Sequence, residues 1–250
     1  VQGLWQQQTE KQSLNQQHSV RNSIAIVGIG GVFPGATDLD SFWEMIRSGG
    51  NAVRDVPPDR WILDPAQAFS TGISADKVNS RRGCFIDDFP FDPKGLNLDP
   101  TTLTGLDPAF HLLLHAGNQA WQDAATTQLN RKRVGVVIGN IVLPTDAASA
   151  LADEILGPAF ESRVVAQVIA EKKDTLRLNR YVAGLPAGVL AKALELGGGS
   201  YTLDAACASS LYALKYAAEE LLSGRADAML AGGLSRPDCL YTQMGFSQLQ

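Results

Sequence analysis

The sequence predicts an α/β fold with a largely parallel sheet. Three observations predict it: apolar strand patterns recur along the chain, helical patterns separate them, and glycines mark many of the junctions. A strand, a helix and a second strand parallel to the first form the repeating unit of such folds. The length of 250 residues suits one large domain or two small ones.

The first predicted elements are a strand and a helix joined by a glycine-rich turn. The apolar run Ser23–Gly31 predicts a buried strand. The segment Asp38–Gly49 predicts a helix, because Asp38 or Asp40 can cap its start and Gly49 can end it. Its apolar face is expected to contain Phe42, Trp43 and Ile46.

The middle of the chain begins with an irregular stretch. Residues 50–80 contain three prolines and show no clear periodicity. A short strand is expected at Arg81–Asp88 and a second buried strand at Arg133–Asn140. Between them, Leu106–Ala124 predicts a helix with Pro108 in its first turn, where a missing N–H removes no intrahelical bond.

The second half of the chain continues the alternation. Helices are expected at about 145–156, 159–172, Tyr181–Leu196 (starting near Pro186) and 207–223, and strands at 198–206 and Ala226–Ser235. Gly224 follows the last helix at the C′ position, which favours a left-handed residue.

The composition excludes several classes of protein. The formal net charge of -5 gives no indication of a nucleic-acid partner. No apolar run approaches the roughly 18 residues needed to span a membrane, and the N-terminus lacks the order of a signal peptide. The cysteines Cys84, Cys207 and Cys239 have no paired metal-binding spacing. They fit a reducing compartment, so we expect a cytoplasmic protein with no bound metal.

The two ends of the chain differ from the rest. Residues 1–22 are rich in Gln and poor in apolar side chains, which predicts a flexible lead-in. The chain does not begin with Met, and it ends at GFSQLQ without a helix stop signal. We therefore expect a domain at 23–250 that is cut from a longer chain and incomplete at its C-terminus.

Cys207 is the main candidate for a catalytic side chain. The predicted strand 198–206 ends just before it, and the predicted helix begins with it. A sharp strand-to-helix turn can hold a nucleophile above the edge of a sheet, and small neighbouring residues allow such a turn to close. The N–H groups of the first helical turn have no helical partners, so they favour a thiolate and could hold a developing oxyanion.

The helix that follows Cys207 is expected to anchor it on a rigid, buried element. Lys215 and Glu219 form an i,i+4 pair on its polar side. The apolar face is expected to contain Leu211, Leu214, Ala218, Leu221 and Leu222. From these residues alone, a second interpretation stays open: Cys207 could be a buried, inert thiol at the start of a core helix.

Two further patterns favour structural roles. The turn Gly28–Gly35 has Phe33 where a dinucleotide-binding motif has its third glycine, and Pro34 interrupts it, which favours a structural turn. His111 and His115 lie one helical turn apart, a spacing that can hold a metal. The sequence offers neither the glutamate of a H-E-x-x-H motif nor a third ligand, so we expect structural or interface histidines.

The basic cluster 130–133 and two other cysteines are weaker candidates. The cluster NRKR predicts a solvated loop, with a docking spot for an acidic carrier protein as the alternative. Cys84 in an apolar strand and Cys239 in a loop are expected to be inert.

Several segments, taken in order, resemble the condensing domains called β-ketoacyl synthases. The segment DAACASSL, followed by SGRADAMLAGG, resembles their nucleophile region. The opening IAIVGIGGVFPGATDLDSFWEMIRSG looks like theirs, and RRGCFIDDFPFDP, LDPAFHLLLHAGNQAW and RVGVVIGN resemble the blocks between. The resemblance runs from about Ser23 to Gln250. It is greatest to multidomain synthases that make polyunsaturated fatty acids and related polyketides.

The resemblance implies a thiolase-like fold, in which two α/β halves stack as α-β-α-β-α layers. This chain would supply the first half and part of the second. Cys207 would take an acyl group as a thioester from the phosphopantetheine arm of an acyl carrier protein, with its own N–H as one oxyanion donor. A malonyl-type extender would then lose carbon dioxide and attack, giving a β-ketoacyl carrier two carbons longer.

The same resemblance implies the partners. No bound cofactor is implied, because the acyl groups arrive on phosphopantetheine. The implied partners are the acyl carrier protein, other domains of a multienzyme synthase, and a second copy in a homodimer, with the strand 198–206 near its seam.

The sequence also departs from the family pattern. The family's two catalytic histidines, one in His-Gly-Thr-Gly-Thr and one after Asn-Gly, match none of His18, His111 and His115. They are expected after Gln250, so the 250-residue chain alone is not expected to condense. Ala205 stands where many relatives have Thr, and the two helical histidines stand where many have Arg and Glu. Two alternatives stay open: a non-catalytic chain-length or scaffold partner, and a coenzyme-A-dependent thiolase-type enzyme.

Overall fold

The computed structural model describes residues 23–58, 60–72, 74–86, 89–164, 176–236 and 239–249. The predicted lead-in at 1–22 lies outside the described residues. The side chains of Asp146 and of residues 159–164 are likewise not described.

Helices and strands alternate as the sequence predicts. The helices are α1 (Leu39–Arg47), α2 (Pro65–Ala68), α3 (Pro100–Gly105), α4 (Pro108–Asp123), α5 (Asp146–Val164), α6 (Pro186–Ala193), α7 (Ser209–Leu222) and α8 (Leu240–Leu249). The strands are β1 (Arg54–Asp55), β2 (Arg82–Gly83), β3 (Val134–Asn140), β4 (Ser200–Leu203) and β5 (Ala228–Leu234). None of the described helices combines the length and apolar character needed to cross a membrane.

A three-stranded parallel sheet forms the centre, with the order β4-β3-β5. Val136 of β3 is opposite Ser200 on one side and Leu230 on the other. Helices α4 and α6 pack on one side of this sheet and α7 packs on the other. The predicted α/β class with a parallel sheet is therefore confirmed.

Strand β3 lies in the middle because it is apolar on both faces. All seven of its residues are buried, as expected for a parallel strand covered by helices on both sides. The main core includes side chains from β3, α4 and α6 and contains Phe110, Leu114, Val134, Val136, Leu190 and Ala187.

The segment 23–31 is not the buried strand that the sequence predicts. It pairs with none of the described strands, and Ile26 is 81% exposed. The segment instead follows α4: the N–H of Ile29 donates to Asp123 Oδ2 at 3.0 Å. A Cβ on Gly30 would lie 2.1 Å from the carbonyl oxygen of Ala116. The glycines in this run therefore allow the segment to pack closely on α4. The apolar pattern alone could not show whether another strand would pair with this segment.

Two helix predictions also need correction. In α1, Asp38 caps the start as predicted, accepting from the N–H of Ser41 at 2.8 Å. Trp43 and Ile46 are exposed, because the helix turns the face that carries Phe42 inward. The helix predicted at 145–156 and the described start of the helix predicted at 159–172 belong to the single helix α5, which begins at Asp146 and runs through Pro158. The rest of the second predicted helix lies outside the described residues.

The remaining elements follow the predictions with shorter bounds. The strand expected at Arg81–Asp88 is only β2, which pairs antiparallel with β1. The irregular stretch before it is not loose. It contributes to a second apolar cluster, formed by Val56, Trp61, Ala68, Val78, Phe85 and Leu240.

Candidate active site

Cys207 lies in the turn between the central sheet and α7. Strand β4 ends at Leu203, a single 3-10 turn covers Ala206–Ala208, and α7 begins at Ser209. The strand-to-helix setting predicted for Cys207 is present, although the α-helix starts two residues later than expected. The thiol-bearing residue is exposed, so the interpretation as a buried core cysteine is wrong.

The backbone of this turn is held in a left-handed conformation. Ala206 has a φ of 50°, which is costly for a residue with a Cβ, by about 1 kcal/mol. The Ser209 hydroxyl holds the turn from inside: it accepts from the N–H of Ala205 at 2.8 Å and donates to the carbonyl of Ala206 at 2.7 Å. Ser209 is itself buried, and both of these hydrogen bonds are partly buried.

Asp204 holds the turn from the strand side. Its Oδ1 accepts from the N–H of Ala206 at 2.8 Å, and its Oδ2 accepts from the N–H of Val142 at 2.9 Å. The bond from Val142 and then the bond from Ala206 lower the pKa of the Asp204 carboxyl below its ordinary value of 3.8. The carboxylate therefore links the Cys207 turn to the loop that follows β3.

Two glycines allow α7 to approach the sheet. A Cβ on Gly139 of β3 would lie 2.4 Å from the carbonyl carbon of Ser209. A Cβ on Gly233 of β5 would lie 3.0 Å from the Cβ of Ser210. The first turn of α7 thus sits directly on the ends of two neighbouring strands, which fixes the position of Cys207 above them.

The sequence predicted unpaired backbone N–H groups around Cys207, but two of these groups have hydrogen-bond partners. The N–H of Ala206 donates to Asp204, and the N–H of Ala208 donates to the carbonyl of Ala205 at 3.1 Å. The N–H of Cys207 lies between these two engaged groups.

The face of α7 that was expected to be buried is exposed. Leu211 is 68% exposed and Leu214 is 51% exposed, whereas Ala213 and Ala217 are buried. The helix turns these small residues toward the sheet, so the leucine pattern indicated the wrong side. The predicted pair of Lys215 and Glu219 is present on the exposed side.

A cavity of about 650 Å³ opens beside Cys207. Its lining comes from seven separate parts of the chain, which contribute Val32, Phe33, Pro34, Arg60, Cys84, Ile86, Gly139, Ile141, Leu143, Ala206, Ser209, Ser210, Gly233, Leu234, Ser235, Arg236, Gln243 and Phe246. Most of these side chains are apolar, and two are arginines. The cavity can therefore take an apolar chain.

The sequence did not indicate most of this lining. Arg60 lies in the irregular stretch and Arg236 follows β5, and no motif marked either one. The Phe33–Pro34 turn was interpreted only as structural, which it is, but it also forms part of the cavity wall. Cys84 was expected in an apolar strand; it is exposed and lines the same cavity as Cys207. Its placement was wrong because β2 ends before it.

The two histidines have structural contacts. His111 Nε2 lies 2.7 Å from the carbonyl oxygen of Leu103, so this nitrogen carries the proton and donates. The ring of Phe91 stacks on His111 at 4.5 Å, and Phe89 meets His115 edge-on at 4.8 Å. Within the described ranges no group of three or more His, Cys, Asp or Glu side chains is placed to hold a metal ion.

The basic cluster 130–133 lies at the far end of the sheet. Arg131 donates to the carbonyl of Leu194 at 2.8 Å, and Arg133 donates to Asp227 at 2.9 Å. The cluster precedes β3, whereas Cys207 lies beyond its other end, about 20 Å away for seven strand residues. These contacts favour the structural interpretation over a docking spot.

Cys239 is buried, as an inert cysteine would be. Its Sγ lies 3.3 Å from the carbonyl oxygen of Pro144 and donates to it.

Comparisons with known proteins place this arrangement beside one family. The model of the family described as beta-ketoacyl synthase, N-terminal domain, matches residues 21–250. Non-reducing polyketide synthase VdtA of Byssochlamys spectabilis is 31% identical over 227 residues, which cover 87% of this chain and 9% of VdtA.

Solved structures agree in fold. The PfaC keto synthase–chain length factor superposes with a TM-score of 0.81 at 34% identity, over 89% of this chain and 25% of that one. The ketosynthase from module 6 of the bacillaene synthase of Bacillus subtilis 168 gives a TM-score of 0.69 at 25% identity, over 90% of this chain and 34% of that one. These ketosynthases have the thiolase-like fold, which confirms that part of the prediction for the portion of the fold described here.

Proposed function

The chain belongs to the β-ketoacyl synthase family, as its N-terminal domain, and from this premise we propose that Cys207 is the acyl-accepting nucleophile of a decarboxylative condensation. The observation that carries the proposal is the exposed Cys207 in a strained strand-to-helix turn beside a mainly apolar cavity. The chain spans only a small part of its curated relatives, 9% of VdtA for example. The proposal therefore concerns the role of this domain within a larger synthase.

The first step is transfer of an acyl group to Cys207. The thiolate attacks the carbonyl carbon of an acyl thioester carried on phosphopantetheine of an acyl carrier protein. The carbonyl oxygen becomes an oxyanion, which the N–H of Cys207 holds by a hydrogen bond. The carrier sulfur then leaves as a thiolate and takes a proton, and the acyl group remains on Cys207 as a thioester.

The second step is condensation. A malonyl-type thioester on a carrier loses carbon dioxide, and the electron pair of the broken bond becomes a carbanion. The carbanion attacks the acyl carbon on Cys207, a carbon–carbon bond forms, and the sulfur leaves as the regenerated thiolate. The product is a β-ketoacyl carrier two carbons longer. Neither His111 nor His115 lines the Cys207 cavity, so we assign neither of them to this step.

The two other functions differ from this one in what they require of Cys207. A chain-length or scaffold partner would keep the fold and the dimer but needs no nucleophile, so an exposed cysteine in a strained turn argues against it. A thiolase-type enzyme would use coenzyme A thioesters in place of a carrier-bound extender. A comparison of coenzyme A donors with carrier-bound acyl donors distinguishes a thiolase-type enzyme from the proposed condensing domain.

The test is intact-protein mass spectrometry of the full protein that carries this domain. After incubation with hexanoyl N-acetylcysteamine thioester, we expect one hexanoyl adduct on the wild type and on Cys239→Ala, which removes a buried cysteine outside the cavity. Cys207→Ala is expected to show none. An adduct that persists in Cys207→Ala, or that disappears in Cys84→Ala alone, would remove Cys207 from the mechanism.

We further infer that the protein works in the reducing cytoplasm, which would keep Cys207 as a thiol. We also infer that it forms a homodimer through β4. In the described part of the chain β4 pairs only with β3, so its other edge is available. Tyr201 on this strand is exposed next to Tyr216 of α7 at 6.5 Å. We expect Tyr201→Asp to convert a dimer to a monomer in analytical ultracentrifugation, whereas Tyr241→Asp on α8 leaves the dimer intact. A dimer that survives the first substitution would refute this interface.

A further inference from the structure

One side chain of α4 spans both ends of the turn that forms a wall of the Cys207 cavity. Gln119 Oε1 accepts from the N–H of Gly31 at 3.0 Å, on the incoming side of the turn. Gln119 Nε2 donates to the carbonyl of Thr37 at 3.2 Å, on the outgoing side. A single carboxamide thus fixes the separation of the two ends.

The orientation of this carboxamide is determined by its partners. A backbone N–H can only donate and a carbonyl can only accept, so the oxygen of Gln119 must face Gly31 and its nitrogen must face Thr37. The same nitrogen lies 3.0 Å from His115 Nε2. His115 Nε2 therefore accepts the second N–H of this nitrogen, which gives the carboxamide a third partner.

The turn between these ends is compact and faces the cavity. The N–H of Phe33 donates to the carbonyl of Ala36 at 2.7 Å, and the N–H of Ala36 donates back to the carbonyl of Phe33 at 2.9 Å. The ring of Phe33 stacks on Phe42 of α1 with centroids 3.9 Å apart. Phe33 and Pro34 line the cavity that also contains Cys207.

The packing within the turn is tight at Gly31. A Cβ on Gly31 would lie 2.7 Å from the Phe33 ring. On the outer side, the residues that precede the turn are exposed, Ile29 by 54%. The two bonds of Gln119 therefore tie both ends of the turn to α4.

We propose that Gln119 is a positioning residue that sets the distance between the Phe33–Pro34 turn and Cys207, and thereby which acyl groups reach the thiol. The inference rests on the proposed function of Cys207 as the acyl acceptor. Gln119 contacts neither the thiol nor the acyl chain; it acts through the turn. Loss of its two bonds lets the turn move outward and widens the cavity.

The experiment uses three variants of the full protein. Gln119→Met keeps the length of the side chain but removes every hydrogen bond. Gln119→Glu keeps an acceptor for Gly31 but cannot donate to Thr37. Gln122→Ala is the matched control, because Gln122 lies on the same helix and is exposed to solvent.

The readout is selectivity, which a purely structural role would not change. The rate of Cys207 alkylation is measured by peptide mass spectrometry with iodoacetamide and with the bulkier iodoacetanilide, which carry the same reactive group. The rate of acylation is measured in parallel with butyryl and decanoyl N-acetylcysteamine thioesters. We expect both ratios of large to small reagent to rise by about threefold or more in Gln119→Met, the scale of one neutral hydrogen bond. Gln119→Glu should follow it, and Gln122→Ala should match the wild type.

Two other outcomes have separate meanings. If Gln119→Met lowers the melting temperature but leaves both ratios at the wild-type value, the positioning role is refuted and Gln119 is only structural. If wild-type Cys207 accepts no acyl group from either thioester, the proposed function fails, and the alkylation ratio still decides the role of Gln119. Should Gln119→Met fail to fold, the ratio in Gln119→Glu decides it in the same way.

Discussion

At the scale of single residues, the position of Cys207 depends on neighbours that have small or no side chains. The left-handed Ala206 is held by Asp204 from one side and by the Ser209 hydroxyl from the other. Gly139 and Gly233 allow α7 to rest directly on the sheet. The thiol is thus placed by backbone geometry and by hydrogen bonds to the backbone.

Gly139→Ala is expected to displace the start of α7. The added Cβ would lie 2.4 Å from the carbonyl carbon of Ser209 and 2.5 Å from its oxygen, and both belong to the backbone. We expect a loss of about 1–3 kcal/mol in the free energy of unfolding in urea, and slower alkylation of Cys207. Gly232→Ala on β5 is the control, because no atom lies within 4 Å of its added Cβ. Equal effects of the two substitutions would contradict this account.

Asp204→Asn is expected to reduce the loss of stability in acid. Because the folded pKa of Asp204 lies below its ordinary value of 3.8, its carboxylate stabilises the folded state at neutral pH. This contribution is lost as the pH falls from about 5 to about 2. Urea unfolding of the wild type and the variant at both ends of this pH range measures the free energy of unfolding that each loses in acid. The contributions of the other carboxylates are common to both proteins and cancel when the two losses are subtracted. A variant that loses as much stability in acid as the wild type would rule out this role.

At the scale of elements, the sequence located the strands of the central sheet better than it oriented the helices. Strands β3 and β5 were predicted within two residues, because a parallel strand covered on both faces is a short, uniformly apolar run. A similar apolar run at 23–31 lies along α4 with its large side chains exposed. The prediction failed there because a strand needs a neighbouring strand, and the local sequence does not show whether one is present. In α7 the leucines indicated one face, but Ala213 and Ala217 are the buried residues.

Pro158→Ala tests the continuity of α5. Pro158 lies inside the helix, where proline has no N–H for the preceding turn and costs about 3 kcal/mol relative to alanine. We therefore expect the substitution to raise the melting temperature measured by circular dichroism. Ala152→Gly, at an exposed position of the same helix, should lower it. A helix that is broken at Pro158 would show no gain.

At the scale of the whole molecule, the candidate site brings together parts of the chain that are far apart in sequence. The sequence could place Cys207 in a strand-to-helix turn because the strand, the turn and the helix around it are consecutive. It could not place Arg60, Phe33 or Phe246 at the same cavity, because that depends on how distant loops pack. The hydroxyl of Ser247, for example, accepts from the N–H of Asn79 at 3.2 Å.

Leu240→Ala tests whether this distant packing supports the site. Leu240 is 4% exposed and joins α8 to the cluster that contains Trp61 and Phe85. Removing its side chain should cost about 2–5 kcal/mol in urea unfolding. It should also raise hydrogen exchange in 60–86, which holds part of the cavity wall, more than in β3. Leu249→Ala, in the same helix but 76% exposed, should change neither quantity. Equal exchange increases in both regions would mean that the cluster is not a separate support for the cavity, since the damage would then spread through the whole domain.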